Sequence, residues 1–194
     1  MITLYHSPRT RSASIVWLLE ELGTPYTTHI VDWRHPDGSG ARDPANPHPH
    51  GKVPALADDG EIVFEASGIA LYLTDKYRAT PMGPPPGDPL RGQYLSWLAY
   101  RPGVMEPALI ARSLGAKHVY GMMGWAPADE VEEVLNAHLA GREYFLGANF
   151  SALDILIGGG LHFMIMAKMV AETPVLKAYT ARITNRPAFH KALA

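Results

Sequence analysis

The chain has 194 residues, of which 47% are hydrophobic and 19% charged, with a formal net charge of -2 at pH 7 and no cysteine. That length exceeds one core of about 100–150 residues and falls short of two full-sized domains, so one compact unit or two small ones are expected. The composition excludes disorder and fibres, the lack of a basic excess argues against nucleic acid as a partner, and the missing thiol excludes a disulfide framework, a zinc-thiolate site, an Fe–S cluster and a cysteine nucleophile.

In chain order, Ile2-Thr3-Leu4-Tyr5 has the pattern of a short strand. Ser12 can cap a helix whose apolar residues Ile15, Val16, Leu18, Leu19 and Leu22 recur at helical spacing until Gly23 stops it. Tyr26 to Val31, β-branched and aromatic, is a second strand, which makes a βαβ unit with parallel strands. A loop rich in Pro, Gly and His runs from Arg34 to His50. Val53 to Leu56 and Glu61 to Phe64 read as a hairpin around Asp58-Asp59-Gly60, and Ser67 to Tyr77 as a helix. The order βαβ then ββα implies a four-stranded mixed sheet with helices against it.

Thr80 to Pro89 holds five prolines and two glycines, a stiff extended connector. It divides the chain into a first domain, 1–78, a linker, 79–89, and an all-helical second domain, 90–194. There, Leu90 to Ala111 carries a helical stripe interrupted by Arg101-Pro102-Gly103, which predicts a kink. Ala128 to Tyr144 repeats its apolar residues at three- and four-residue steps. Ser151-Ala152-Leu153-Asp154 is a capping-box variant. The near-apolar run from Ile155 to Val170 is broken by Gly158-Gly159-Gly160, His162 and Lys168, so no membrane span is expected. Helices over 175–184 and 188–193 finish the chain. With no basic region ahead of an apolar stretch at the start, a soluble cytoplasmic protein is expected.

Three segments could carry chemistry. The loop His6-Ser7-Pro8-Arg9-Thr10-Arg11-Ser12 lies at the carboxyl end of a strand, where open α/β sheets place ligands. Ser7, Thr10 and Ser12 could each donate to a thiolate, and Arg9 and Arg11 would favour the anion; no general base is fixed beside them. In Gly51-Lys52-Val53-Pro54-Ala55-Leu56, a proline at the start of a strand tolerates a cis bond, and Val53 could then pair with a bound peptide as a strand edge does. Glu65-Ala66-Ser67 meets a helix N-terminus, which attracts an anion, while Glu65 suits an ammonium. His48-x-His50 lacks a third ligand, so no metal is expected. Tyr100, Met105, Tyr120, Met123 and Trp125 could line an apolar pocket.

Taken together, Ser7-Pro8-x-Thr10-x-Ser12 running into Trp17-Leu18-Leu19-Glu20-Glu21-Leu22-Gly23, then Pro49-His50-Gly51-Lys52-Val53-Pro54-Ala55-Leu56, then Glu65-Ala66-Ser67, then Phe145 to Ile155 and Asn185-Arg186-Pro187-Ala188-Phe189 resemble the glutathione transferase superfamily across nearly the whole chain. The resemblance, to a bacterial-type cytosolic, serine/threonine-type member, implies a thioredoxin-like first domain, an all-α second domain and a homodimer. It implies that Val53 and Pro54 pair with the cysteinyl backbone of glutathione, that Glu65 and Ser67 hold its γ-glutamyl end, and that Lys52 and Arg11 join the binding set. Ala66 stands where many relatives carry Ser or Thr, which passes that contact to Ser67 or weakens the γ-glutamyl grip. Thr10 is the first choice for the hydroxyl that stabilises the thiolate, with Ser12 and Ser7 behind it. The implied function is conjugation of glutathione to small hydrophobic electrophiles in a pocket that includes Tyr100, Met105, Tyr120 and Met123. A glutathione-dependent disulfide reductase or peroxidase, or a non-catalytic binding protein of this fold, is the alternative.

Overall fold

The structure is a computed structural model that describes residues 1–32, 35 and 37–193; Arg34, where the loop 34–50 is expected to begin, lies outside the described residues. It divides into two units, Met1–Pro81 with Arg186–Ala194, and Met82–Asn185. The boundary at Pro81 and Met82 falls inside the proline-rich stretch.

The first unit is built on a four-stranded sheet of order β2-β1-β3-β4. β1 (Ile2–His6) pairs in parallel with β2 (Tyr26–Ile30), and antiparallel with β3 (Ala55–Asp58), which pairs antiparallel with β4 (Glu61–Phe64). The mixed sheet expected from the order of elements is thus present. β3 differs in extent: its ladder starts at Ala55, after a cis Val53-Pro54 bond, because Pro54 has no N–H to give a central strand. Asp59 and Gly60 both take positive φ, 50° and 93°, as the two central residues of a tight hairpin turn require.

Helix α1 (Ala13–Leu22) buries Ile15, Val16, Trp17, Leu18, Leu19 and Leu22. It stops where Gly23 turns left-handed at φ 64° and donates to the carbonyls of Leu19 and Glu20. Ser12 stands at its start but makes no capping bond, since its hydroxyl is engaged elsewhere. Helix α2 (Ala66–Lys76) begins one residue ahead of Ser67, with Glu65 at the cap position and a left-handed φ of 64°.

The chain's last helix, α8 (Pro187–Leu193), packs on α1 and belongs to the first unit. The expectation of one helical domain over 90–194 therefore needs correction at its end. The cause lies in three side chains. Arg186 forks onto Glu21 at 2.6 and 2.7 Å, Phe189 meets Trp17 edge-on at 4.9 Å, and Lys191 reaches Glu20 at 3.0 Å.

The second unit is helical. Helices α3 (Arg91–Tyr100) and α4 (Glu106–Ser113) are joined by a π-helical turn, Arg101–Met105, at the Pro102-Gly103 step where a kink is expected. Then come α5 (Ala128–Leu139), a second π turn (Asp154–Gly158), α6 (Gly159–Met166) and α7 (Pro174–Thr184). The capping box closes as its spacing predicts: Asp154 Oδ2 accepts from the Ser151 amide at 2.8 Å and from its hydroxyl at 3.0 Å. Its Oδ1 accepts from the Phe145 amide and the Tyr179 hydroxyl, both at 2.8 Å. Gly158 lies against Tyr179 and Ile183, with no room for a side chain. Among the described residues no helix is long and apolar enough to cross a membrane.

Candidate functional site

The sheet register brings the three candidate segments to one edge. Tyr5 pairs with Ala55 and Ala55 with Phe64, so one row crosses three strands. Beyond that row the chain continues as His6 into the loop of residues 7–12, as Pro54 back to Val53, and as Glu65 into α2. Sequence neighbours of a single row are spatial neighbours, which places all three segments at one end of the sheet.

There the structure has a cavity of about 550 Å³ lined by Arg9, Thr10, Arg11, His50, Gly51, Lys52 and Val53. That volume lies within the roughly 300–1,000 Å³ typical of small-molecule sites. Arg9, Arg11 and Lys52 line it and among the described residues no lining residue is acidic, so the cavity favours an anion. Gly51 takes φ 65° against the Arg42 side chain, and Arg42 donates to the carbonyls of His48 and Pro49 at 3.3 and 3.0 Å. Asn46 braces the same turn through the Lys52 carbonyl at 2.9 Å. The wall that carries Lys52 and Val53 is therefore held by side chain to backbone bonds.

The three candidate hydroxyls are placed differently. Ser12 is 0% exposed, and its Oγ lies 2.8 Å from His6 Nδ1, 2.7 Å from Thr10 Oγ1 and 3.1 Å from the Ser7 amide. Ser7 is buried and offers the network its backbone, its carbonyl accepting from Thr10 Oγ1 at 2.7 Å. Only Thr10 is both part of this network and part of the cavity lining.

Glu65 stands at the neighbouring strand-to-helix junction with its side chain 70% exposed and does not line the cavity. Its Oε1 lies 3.6 Å from Nε2 of buried His48. His48 Nδ1 accepts from the His50 amide at 3.0 Å, which puts the ring proton on Nε2, facing the carboxylate. Burial lowers the His48 pKa, with Glu65 opposing, and the neutral ring packs edge-on against Phe64 at 5.4 Å. Ala66 is buried in the first turn of α2, and Ser67 is half-buried beside it. Among the described residues no group of three His, Cys, Asp or Glu is gathered as a metal site requires.

A family model described as the N-terminal domain of glutathione S-transferase matches residues 10–76, the span that holds all three segments. The structure superposes on a sphingomonad glutathione S-transferase complexed with glutathione at a TM-score of 0.78 and 29% identity, over 98% of this chain and 96% of that one. The chain belongs to the glutathione transferase superfamily. Glutathione S-transferase 3 of Schizosaccharomyces pombe is 29% identical over 174 residues, 79% of this chain and 70% of its own length. Elongation factor 1-gamma 2 of Oryza sativa subsp. japonica is 29% identical over 164 residues, 75% of this chain but 37% of that longer protein. The first unit of this transferase-family chain is accordingly the thioredoxin-like, α/β part, and the second is the helical part.

The four expected pocket residues of this family member differ in their surroundings. Met105 is fully buried in the core, Tyr120 is 74% exposed and bonds Glu130 at 3.2 Å, and Tyr100 is half-buried at the end of α3. Met123 lines a separate cavity of about 130 Å³ with His118 and Trp125. Met105 ends the π turn of residues 101–105 with its side chain turned into the core. Sequence reasoning also missed His6 and His48. A signal for His6 was available, because β1 buries Ile2, Leu4 and His6 in strict alternation, and a histidine at a core-facing position must have a hydrogen-bonding partner.

Proposed function

We propose that this chain binds glutathione in the cavity at the end of its sheet and transfers it to small hydrophobic electrophiles. The observation that carries the reading is Thr10: a hydroxyl held in a buried network yet open to a cavity lined by cations. The residues fit the parts of the tripeptide. Its thiol suits Thr10, its glycyl carboxylate suits Arg9, Arg11 and Lys52, its cysteinyl backbone suits Val53, which lies outside the paired strand registers, its ammonium suits Glu65, and its γ-glutamyl carboxylate suits Ser67 at the α2 N-terminus.

In this reading the thiol gives its proton to solvent, and the sulfur anion accepts a hydrogen bond from Thr10 Oγ1 within the field of the cationic side chains. The sulfur lone pair then forms a C–S bond with the electrophilic carbon. The electron pair of the broken bond leaves with the departing group or, for an activated double bond, moves to the adjacent carbon and is later protonated. Moving a thiol pKa from near 9 towards 7 asks for about 2–3 kcal/mol, which one charge-assisted hydrogen bond and neighbouring cations supply. The chain brings no thiol of its own, so the sulfur comes with the tripeptide. A homodimer in the cytoplasm belongs to the same proposal.

Calorimetric titration with glutathione, followed by initial rates with a chloronitroarene and with a glutathionyl disulfide, tests it. Binding with turnover of the arene supports conjugation; no binding heat and no thermal stabilisation overturn it. The likeness to elongation factor 1-gamma 2, a protein not named for transfer chemistry, favours one second reading, a binding module. Glutathione binding without turnover of either acceptor is its signature.

A further inference from the structure

The network behind Thr10 has a direction that can be worked out from its protons. Thr10 Oγ1 has three neighbours: the Ser7 carbonyl at 2.7 Å, which can only accept, the Ser12 amide at 3.3 Å, which can only donate, and the Ser12 hydroxyl at 2.7 Å. Ser12 Oγ is met by the Ser7 amide at 3.1 Å, again only a donor, by the Ser7 carbonyl at 3.1 Å, only an acceptor, and by His6 Nδ1 at 2.8 Å. One arrangement, with one proton per hydroxyl, uses both amide donors and the contacts of 2.7, 2.7 and 2.8 Å, and leaves without a proton only the longer contact of 3.1 Å between Ser12 Oγ and the Ser7 carbonyl. Thr10 donates to the Ser7 carbonyl, Ser12 donates to Thr10, and the His6 Nδ1–H donates to Ser12. The reverse arrangement, with Thr10 donating to Ser12, leaves the 2.7 Å contact between Thr10 and the Ser7 carbonyl without a proton.

We propose that His6, through Ser12, polarises the Thr10 hydroxyl as a donor chain that ends at the cavity, making His6 and Ser12 positioning residues for the sulfur anion. The inference rests on the reading of Thr10 as the group that donates to the thiolate. Rotation of the Thr10 hydroxyl about its Cβ–Oγ1 bond turns its proton from the Ser7 carbonyl to a sulfur in the cavity, while one lone pair stays with the Ser12 hydroxyl. Each donor in such a chain strengthens the next, and burial of His6 and Ser12 keeps water from competing for the links. His6 is buried at a core-facing position of β1, and its ring needs no proton transfer to do this: a neutral imidazole with hydrogen on Nδ1 suffices. The family model begins at residue 10 and so leaves His6 outside the matched span.

The test is the pKa of the bound glutathione thiol, read from thiolate ultraviolet absorbance, in the unsubstituted chain and in His6→Phe, His6→Asn and Ser12→Ala. His6→Phe and Ser12→Ala are expected to raise that pKa by about 0.5–1, a threefold to tenfold loss of thiolate below the pKa, with glutathione affinity changed less than about twofold. His6→Asn, whose amide nitrogen can take the place of Nδ1, is expected to restore most of it. The pH–rate profiles should shift and converge at high pH, whereas a merely structural defect lowers the rate at every pH. If His6→Phe does not fold, Ser12→Ala decides. An unchanged thiol pKa in the folded variants overturns the donor chain while leaving glutathione binding intact. A wild-type chain that binds no glutathione overturns the functional reading and the donor chain with it.

Discussion

At the scale of single residues, the site is a division between groups that face the cavity and groups that hold them. Thr10, Arg9, Arg11 and Lys52 face it, and Ser12, His6, Asn46 and Arg42 do the holding. The proposed function makes Thr10→Ala the sharpest single change. A hydrogen bond to a charged group is worth about 1.5–3 kcal/mol, so turnover should fall about 10- to 100-fold while the glutathione dissociation constant moves only a few fold. Steady-state kinetics beside calorimetry separate the two, and equal turnover in the variant removes Thr10 from the chemistry. All three candidate hydroxyls were legible in the sequence as a cluster. Their ranking was not, because it depends on which oxygen the fold exposes: Ser12 and Thr10 are two residues apart and of similar chemistry, yet one is fully buried and the other half-exposed.

At the scale of elements, local signals carried the fold wherever one residue type permits one geometry. Gly23 ended α1, the Asp59-Gly60 turn made the hairpin, and the Ser151–Asp154 box closed as spacing predicts. They failed where long-range partners decide. Nothing local says that Arg186 and Phe189 belong with α1, since the pairing spans 165 residues. Glu21→Ala should therefore cost more than an ordinary surface substitution. The carboxylate takes a forked guanidinium and the Trp17 indole N–H at 3.0 Å, so removing it is expected to destabilise the first unit by about 1.5–3 kcal/mol, measured by denaturant unfolding. A loss below a few tenths would mean that α8 is held by packing alone. The glycine run is a second case where the reason lies in packing. Alanine in a helix interior is normally favoured over glycine by about 0.5–1 kcal/mol, but a Cβ at residue 158 would come within 2.5 Å of both the Tyr179 hydroxyl and Ile183 Cδ1. The Tyr179 side chain is fixed by its bond to Asp154, so it cannot simply swing away. Overpacking costs of about 1–3 kcal/mol outweigh the propensity gain, and Gly158→Ala should lower the melting temperature. Combined with Tyr179→Phe, which removes the clashing oxygen, the substitution should cost less than the sum of the two single changes; strict additivity would place the clash elsewhere.

At the scale of the whole molecule, the titration of buried groups sets a pH dependence of stability. His6, His48, His138 and His162 all have pKa values lowered from 6.5, in each case chiefly by burial. For a histidine of lowered folded pKa, the unfolded chain binds more protons between that pKa and 6.5, so stability is full above 6.5 and is lost as pH falls through this window. Asp154 acts in the opposite sense. Burial raises its pKa above 3.8 despite four hydrogen bonds to its oxygens, so between 3.8 and the raised value the folded state holds the extra proton and gains as pH falls. Asp58, lowered by Lys76, and Asp43, lowered by His29, return to the histidines' side, each losing its contribution only as pH falls below about 3.8. Four histidines against one carboxylate decide the sign in the window just below 6.5. The melting temperature should fall from pH 7.5 to pH 5.5, and calorimetric unfolding at pH 6 in two buffers of different ionisation enthalpy should show net proton uptake. A flat melting temperature with no uptake would mean that the four imidazoles are solvated well enough to titrate normally in the folded chain. For His6 that outcome would also reach the active-site proposal, because its donor chain depends on the same exclusion of water.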